Sequence, residues 1–295
     1  MGCCKRMPFP FDLGAYFLTR KQWVDQALES CLPAADQAPQ PIHAAMRYAV
    51  LRGGKRLRPV LTLATAELAG ARAEDFLDAA CAIECVHAAS LILDDLPCMD
   101  NATSRRDVPA THVAHGEATA LLASMGLLAL AVDLVARNAE AVDHAAACGA
   151  ATQVLSRAIG SAGLVYGQHL DLHFTGAQPT LEELECVHHH KAGALFLASL
   201  ELPARLLAMP EDRVQALRTY AENVGIAFQI TDDLHDENAG AEDAGKSTFT
   251  THLGREGAQA QVRDRIQAGV DALACFDDRA EPLRQLAYHV LTRNH

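Results

Sequence analysis

The sequence predicts an all-α protein built as a single helical domain, and three observations lead there. Half of the 295 residues are hydrophobic but only 5% are aromatic, so the core must be packed from Ala, Leu and Val side chains. Apolar residues recur at helical spacing from Tyr16 onward, and the breaks between periodic stretches carry turn residues. Val, Ile and Thr nowhere alternate with polar residues for long enough to make a strand. No Gly/Ser-rich or Pro-rich linker divides the middle, so residues 1–295 read as one domain, with 1–15 as an N-terminal tail.

The elements follow in order. After the first helical stretch, Pro33 to Pro41 is a polar loop, and the Gly-rich segment Arg52 to Pro59 separates two more helical segments. An apolar pattern from about Glu74 to Pro97 predicts a long helix, followed by an irregular stretch from Asp100 to His115. Further helices are expected at about 117–138, 143–159, 162–173, 180–206, 211–236, 254–275 and 279–292. The uncharged run Ala118–Val132 falls short of the ~20 residues that a membrane span needs, so it reads as a buried core helix and no span is expected.

Charge and cysteine usage narrow the function. A formal charge of -12 argues against a nucleic-acid partner, because phosphate binding needs a basic face. Nine cysteines, an odd number scattered mostly through apolar stretches, do not form a disulfide framework and suggest a reducing cytoplasm. Met1-Gly2-Cys3-Cys4 hints at lipidation, but Arg6 stands where a myristoylation signal has Ser or Thr.

The string Glu-Cys-Val-His occurs twice, at 84–87 and 185–188, with the Glu-x-x-His spacing that di-iron bundles place on facing helices. Stronger signals stand beside both copies. Asp94, Asp95 and Asp100 end an apolar helix at Pro97, and Asp232, Asp233 and Asp236 end another, with Asp232 and Asp236 one turn apart. A single Asp-Asp pair is as well explained by a solvated helix end. Two such clusters after long apolar helices are costly without a counter-charge. Mg²⁺ takes one or two carboxylates, keeps waters, and fills its remaining positions with substrate phosphate oxygens. Lys55, Arg56 and Arg58 gather on a glycine-initiated turn, while Arg105, Arg106 and Lys191 stand near the acidic clusters and the second Glu-Cys-Val-His. Each alone reads as a surface cation; together they suggest a site for two phosphorylated groups.

In this order, GGKRLRP, ECVHAASLILDDLPCMD, RR, HHHKAGALF, FQITDDLHD and GKST, spread over about residues 40 to 255, resemble the trans-prenyl diphosphate synthases of the farnesyl and geranylgeranyl diphosphate synthase group. The resemblance implies about ten or more mostly antiparallel helices around a deep central cavity, usually in a homodimer. It implies head-to-tail condensation of isopentenyl diphosphate with an allylic diphosphate, using three Mg²⁺ ions. The metal ligands would be Asp94, Asp95, Asp100, Asp232 and Asp236, with Asp94, Asp95, Asp232 and Lys191 central to catalysis. Arg105, Lys191 and Lys246 would meet the leaving diphosphate, with Gln229 beside them. Lys55, Arg58, Arg106 and His87 match the positions that hold isopentenyl diphosphate. Product length would be set by Ala89 and Ser90, small where shorter-product relatives carry an aromatic, so a twenty-carbon product is expected. Departures include Ala192 where the family has Thr, Met125 where Asp is common, Tyr166 in place of Gly, and a shortened 237–245 segment. A terpene cyclase would lack the Lys55, Arg58 and His87 set; a farnesyl synthase and a non-catalytic partner subunit remain the alternatives.

Overall fold

The computed structural model describes residues 11–174, 178–238 and 247–292, with the side chains of 236–238 and 292 outside that description. Asp12 opens the first helix by accepting the Ala15 N–H at 3.0 Å, and α1 runs Leu13–Cys31. The expected tail over 1–15 is therefore too long by at least three residues. α2 (Gln40–Leu51) and α3 (Leu57–Leu68) flank the Gly53-Gly54 turn. α4 (Leu77–Asp94) follows a short 3-10 turn.

A small correction comes next. The stretch after Asp100 carries a hairpin of two-residue strands, β1 (Ser104–Arg105) and β2 (Val108–Pro109), paired antiparallel with Arg105 opposite Val108. Arg106 and Asp107 form its turn, both with positive φ, which is the geometry that suits a two-residue hairpin loop. No period-2 pattern could reveal strands this short. α5 (Thr111–His115) leads through Gly116 into α6 (Glu117–Ala141). Asn138 of α6 accepts from Ala79 N and donates to Asp75 O, so the end of α6 fastens the start of α4.

α7 (Cys148–Ile159) and α8 (Leu164–Phe174) come next. A Thr180/Glu183 capping box starts α9 (Leu181–His188). The single helix expected over 180–206 is interrupted by a π turn, His189–Gly193, before α10 (Ala194–Leu206). α11 (Glu211–Asn238), α12 (Phe249–Ala272) and α13 (Glu281–Thr292) complete the described chain. α12 begins earlier than expected because Thr248 caps it, and Gly254, with φ +66°, kinks it near the predicted start.

Two apolar clusters fill the interior. One joins α1, α2, α4, α6 and α7; the other joins α11, α12 and α13. α3 and α10 serve both: Leu63 and Leu202 face the first, Leu61 and Leu200 the second. Each of these four leucines is at most 1% exposed, a burial that stabilises by roughly 1.5–3 kcal/mol per side chain. α6 departs from the expected buried helix. Ala120, Ala123, Leu127 and Ala131 pack inward, while Leu121, Leu122, Met125 and Val132 are 43–61% exposed. α4 and α6 are both long and apolar enough to cross a membrane by length and composition, but α4 is largely covered by its neighbours.

Candidate active site

The acidic end of α4 is shaped by backbone hydrogen bonds. Leu96 O accepts from Met99 N and Asn101 N, and Asp100 N donates to Asp94 O at 2.9 Å. The turn around Pro97 thus returns Asp100 to the side of Asp94, and the two extra residues of the Asp-Asp-Leu-Pro-Cys-Met-Asp spelling are absorbed outside the carboxylates. Asp94 is half-buried, and desolvation, reinforced by Asp100 and Asp95, pushes its pKa up to about 6 despite the opposing pull of Lys191 and Arg105.

Asp95 behaves differently. It is 2% exposed and accepts three hydrogen bonds of 2.6–2.9 Å from Arg105 on β1. Asp95 and Arg105, expected as a metal ligand and as a leaving-group contact, are each other's partner in this structure. Arg106, at the hairpin turn, points the other way and donates to Gly53 O. A Cβ on Gly54 would sit 2.9 Å from the Arg106 guanidinium, so Gly54 makes the room for that contact, and its φ of +131° suits glycine.

The basic turn also divides. Lys55 is exposed, whereas Arg56 is 3% exposed and turned inward. Arg56 donates to Glu84 at 2.5 Å, to Asp25 at 2.9 Å and to Val50 O at 2.7 Å, which spends its fork on the fold rather than on a ligand. Glu84 of the first Glu-Cys-Val-His is therefore structural. Arg58 remains for the site: its Nε is buried and finds no acceptor among the described residues, while Glu84 and Asp232 lie within electrostatic reach. His87 is held neutral, its pKa well below the usual 6.5, first by burial and then by the surrounding Arg58, Arg106, Arg105 and Arg56. A guanidinium with a buried vacant donor beside a neutral imidazole is arranged for an anion.

The opposite wall comes from α8, the π turn and α11. Gly167 of α8 lies so close to the π turn that a Cβ there would meet Lys191 N at 2.1 Å. That approach sets Lys191 Nζ 2.5 Å from the Asp171 carboxylate and leaves Lys191 within reach of Asp94. Gln168, one turn before Asp171, has both amide atoms buried with no partner among the described residues. Neither was singled out from the sequence, although their i, i+3 spacing places them on one face of α8. Tyr166 sits off that face against the His190 ring. On α11, Gln229 and Asp232 share a face and are half-buried. Asp233 instead accepts Phe249 N at 2.8 Å and helps to cap α12. The expected ligand Asp236 lies on α11 with its side chain outside the described set, and Lys246 lies outside the described residues.

No three His, Cys, Asp or Glu side chains converge into a closed metal cage among the described residues. This arrangement, with Asp94 and Asp100 brought to one side of the turn at the end of α4, can serve a hard cation that takes one or two carboxylates and completes its shell with water and phosphate. It does not fit a di-iron site: His188 of the second Glu-Cys-Val-His stacks on Phe249, and Glu185 pairs with Arg265.

Known proteins share this architecture. The crystal structure of an FPP/GFPP synthase from Zymomonas mobilis superposes with a TM-score of 0.87 at 35% identity, covering 95% of this chain and 98% of the other. A geranyltransferase from Legionella pneumophila gives 0.84 at 33%, covering 96% of each. Geranylgeranyl pyrophosphate synthase 4 of Arabidopsis thaliana is 38% identical, covering 97% of this chain and 80% of its own. The geranylgeranyl diphosphate synthase of Cyanophora paradoxa is 36% identical, covering 97% and 98%. Residues 39–251 match the polyprenyl synthetase family model. An aspartate-ended helix facing a lysine-bearing π turn, on this all-helical scaffold, thus places the chain in the polyprenyl synthetase family, as a prenyltransferase.

Proposed function

We propose that the protein condenses isopentenyl diphosphate with an allylic diphosphate, with Mg²⁺ as cofactor and geranylgeranyl diphosphate as product. The observation that carries this reading is the asymmetry of the two walls. Asp94 and Lys191 face one anion position, and Arg58, with a vacant buried donor, and His87 form another. Asp94 and Asp100, with Asp232 and Asp236 opposite, would hold three Mg²⁺ ions, which when bound neutralise the departing diphosphate.

The protein's own groups do the rest. Lys191, steadied by Asp171, offers its ammonium to the leaving group. Arg58 and His87, with Lys55 and Arg106, hold the second diphosphate so that its double bond faces the ionising carbon. Apolar helix walls exclude water from the allylic cation, and the proton lost in forming the new double bond passes to the released diphosphate. Purified protein with Mg²⁺, labelled isopentenyl diphosphate and each of three allylic primers tests this. A twenty-carbon product is expected; a fifteen-carbon product identifies a farnesyl synthase. No product would sink the catalytic reading and favour a subunit role, as relatives named heterodimeric large subunits suggest.

The two expected length-setting residues differ in burial. Ala89 is fully buried within the first apolar cluster, and its carbonyl accepts the Ser124 hydroxyl of α6 at 3.1 Å. Ser90 is half-buried. Ser90→Phe is expected to shorten the product by at least one five-carbon unit on chromatography. Ala89→Phe should overpack that cluster and cost roughly 1–3 kcal/mol in a denaturant titration. An unchanged product from a folded Ser90→Phe enzyme would remove Ser90 from this role.

We further propose a homodimer that covers Leu121, Leu122, Met125 and Val132 on α6, a contiguous apolar face larger than isolated surface leucines require. Met125→Glu should shift the protein from dimer to monomer in sedimentation or light scattering. A wild-type monomer would overturn the proposal.

A further inference from the structure

The hairpin that carries Arg105 and Arg106 has little of its own to hold it in place. Its strands are two residues each, and Pro109, opposite Ser104, has no N–H to give the ladder. A small cavity lies between it and the neighbouring helices, lined by Tyr48 and Ala49 of α2, Leu91 and Ile92 of α4, and Val108, so the packing beneath it is incomplete. Polar tethers take over. On β1, Arg105 is tied to Asp95, and at the turn Arg106 reaches Gly53 O. On β2 the tether comes from α2: the Tyr48 hydroxyl donates to Pro109 O at 2.7 Å, from 61 residues away in the chain. Tyr48 lies in the last turn of α2 and Gly53 just beyond it, so one end of one helix grips both β2 and the turn. Tyr48 is itself held from two directions. The Arg52 guanidinium lies over its ring at 4.0 Å, and the His115 ring of α5 meets it edge-on, with centroids 4.9 Å apart and planes at 78°.

We propose that Tyr48 is a positioning residue for isopentenyl diphosphate: through Pro109 O it fixes β2, and β2 fixes the turn from which Arg106 reaches the substrate. This rests on the assignment of Arg106 to isopentenyl diphosphate made above. Arg106 spends one nitrogen on Gly53 O, and its remaining donors make no hydrogen bond among the described residues. Tyr48 acts through that guanidinium rather than on the substrate. Arg105 keeps its own anchor on Asp95, so losing the Tyr48 hydroxyl should loosen β2 and the turn while β1 stays in place. The effect should therefore fall on the substrate that Arg106 holds and spare the allylic diphosphate.

Tyr48→Phe keeps the ring between Arg52 and His115 and removes only the hydroxyl. KM for isopentenyl diphosphate is expected to rise about three- to tenfold, the scale of one hydrogen bond, while kcat and the KM of the allylic primer change by less than about twofold. Deuterium uptake should rise in peptides covering residues 104–110 and stay at the wild-type level in α4 and α11. In an Arg106→Ala background, Tyr48→Phe should add nothing further to KM, because the group it acts through is gone. Effects that multiply in the double variant, an equal rise in both KM values, or a wild-type KM in Tyr48→Phe overturns the proposal. The assignment beneath it fails on a different result, an unchanged KM in Arg106→Ala alone or no product from the wild type, and takes the role of Tyr48 with it.

Discussion

Asp94→Asn is expected to make the metal-free protein harder to unfold at pH 8 while removing prenyl transfer. The carboxyl's pKa rises from an ordinary 3.8 to about 6, mainly by desolvation. A carboxylate whose folded pKa exceeds its unfolded one favours the folded state while it is protonated. That contribution is full below about pH 4 and is lost as pH climbs through 6. Above pH 7 the ionised Asp94 therefore strains the fold by about 2 kcal/mol once partial exposure is discounted, and asparagine removes that strain. In thermal melts without Mg²⁺ the variant should exceed the wild type by several degrees at pH 8 and approach it near pH 4. Turnover should fall by at least ~10²-fold, on the scale of deleting one transition-state charge contact. A variant less stable than wild type at pH 8 would show that Asp94 serves the fold rather than the reaction.

Glu84→Ala should have the largest effect on stability alone. It would leave the Arg56 guanidinium buried with only the Asp25 carboxylate, which is 38% exposed. Removing one partner of a buried pair costs about 3–5 kcal/mol, visible as a drop in the denaturant midpoint. The damage should also reach the site. Arg56, with φ +53°, is the pivot between Lys55 and Arg58, so KM for isopentenyl diphosphate should rise more than kcat falls. Glu84→Gln, which keeps a hydrogen-bond acceptor, should be milder. If Glu84→Ala unfolds at the wild-type midpoint, the pair contributes nothing net.

Much of this was legible in the residues because helices announce themselves through spacing and because Asp-Asp clusters on apolar helices need a cation. What the sequence could not do was tell neighbours apart. In each Asp-Asp pair the second residue has a partner within the fold: Asp95 pairs with Arg105, and Asp233 accepts at the start of α12. Adjacent helical positions differ by about 100° in direction, and composition carries no trace of which one faces inward. Arg56 looked like a third phosphate ligand because the partners that claim it, Asp25 and Glu84, are 31 and 28 residues away. The same holds for α6. An apolar run marks a helix that avoids water, but whether its second face is covered by this chain or by another molecule is a tertiary matter. Asp171 and Gln168 were overlooked because their importance rests on the missing Cβ of Gly167.

The π turn at His189–Gly193 has an effect on angle as well as on spacing. A wider turn inserts an extra residue into the helical count, so everything after it is rotated by about 100° relative to an unbroken helix. The apolar surface of α10 is set by one phase, with Leu195, Leu202 and Leu206 toward one cluster and Phe196, Leu200 and Ala204 toward the other. The aim of Lys191 is set by the other phase. Two orientations that one regular helix could not satisfy together are thus reconciled within five residues. A one-residue deletion there would be a rotation rather than a truncation, swinging either the lysine away from its anion or the leucines out of register.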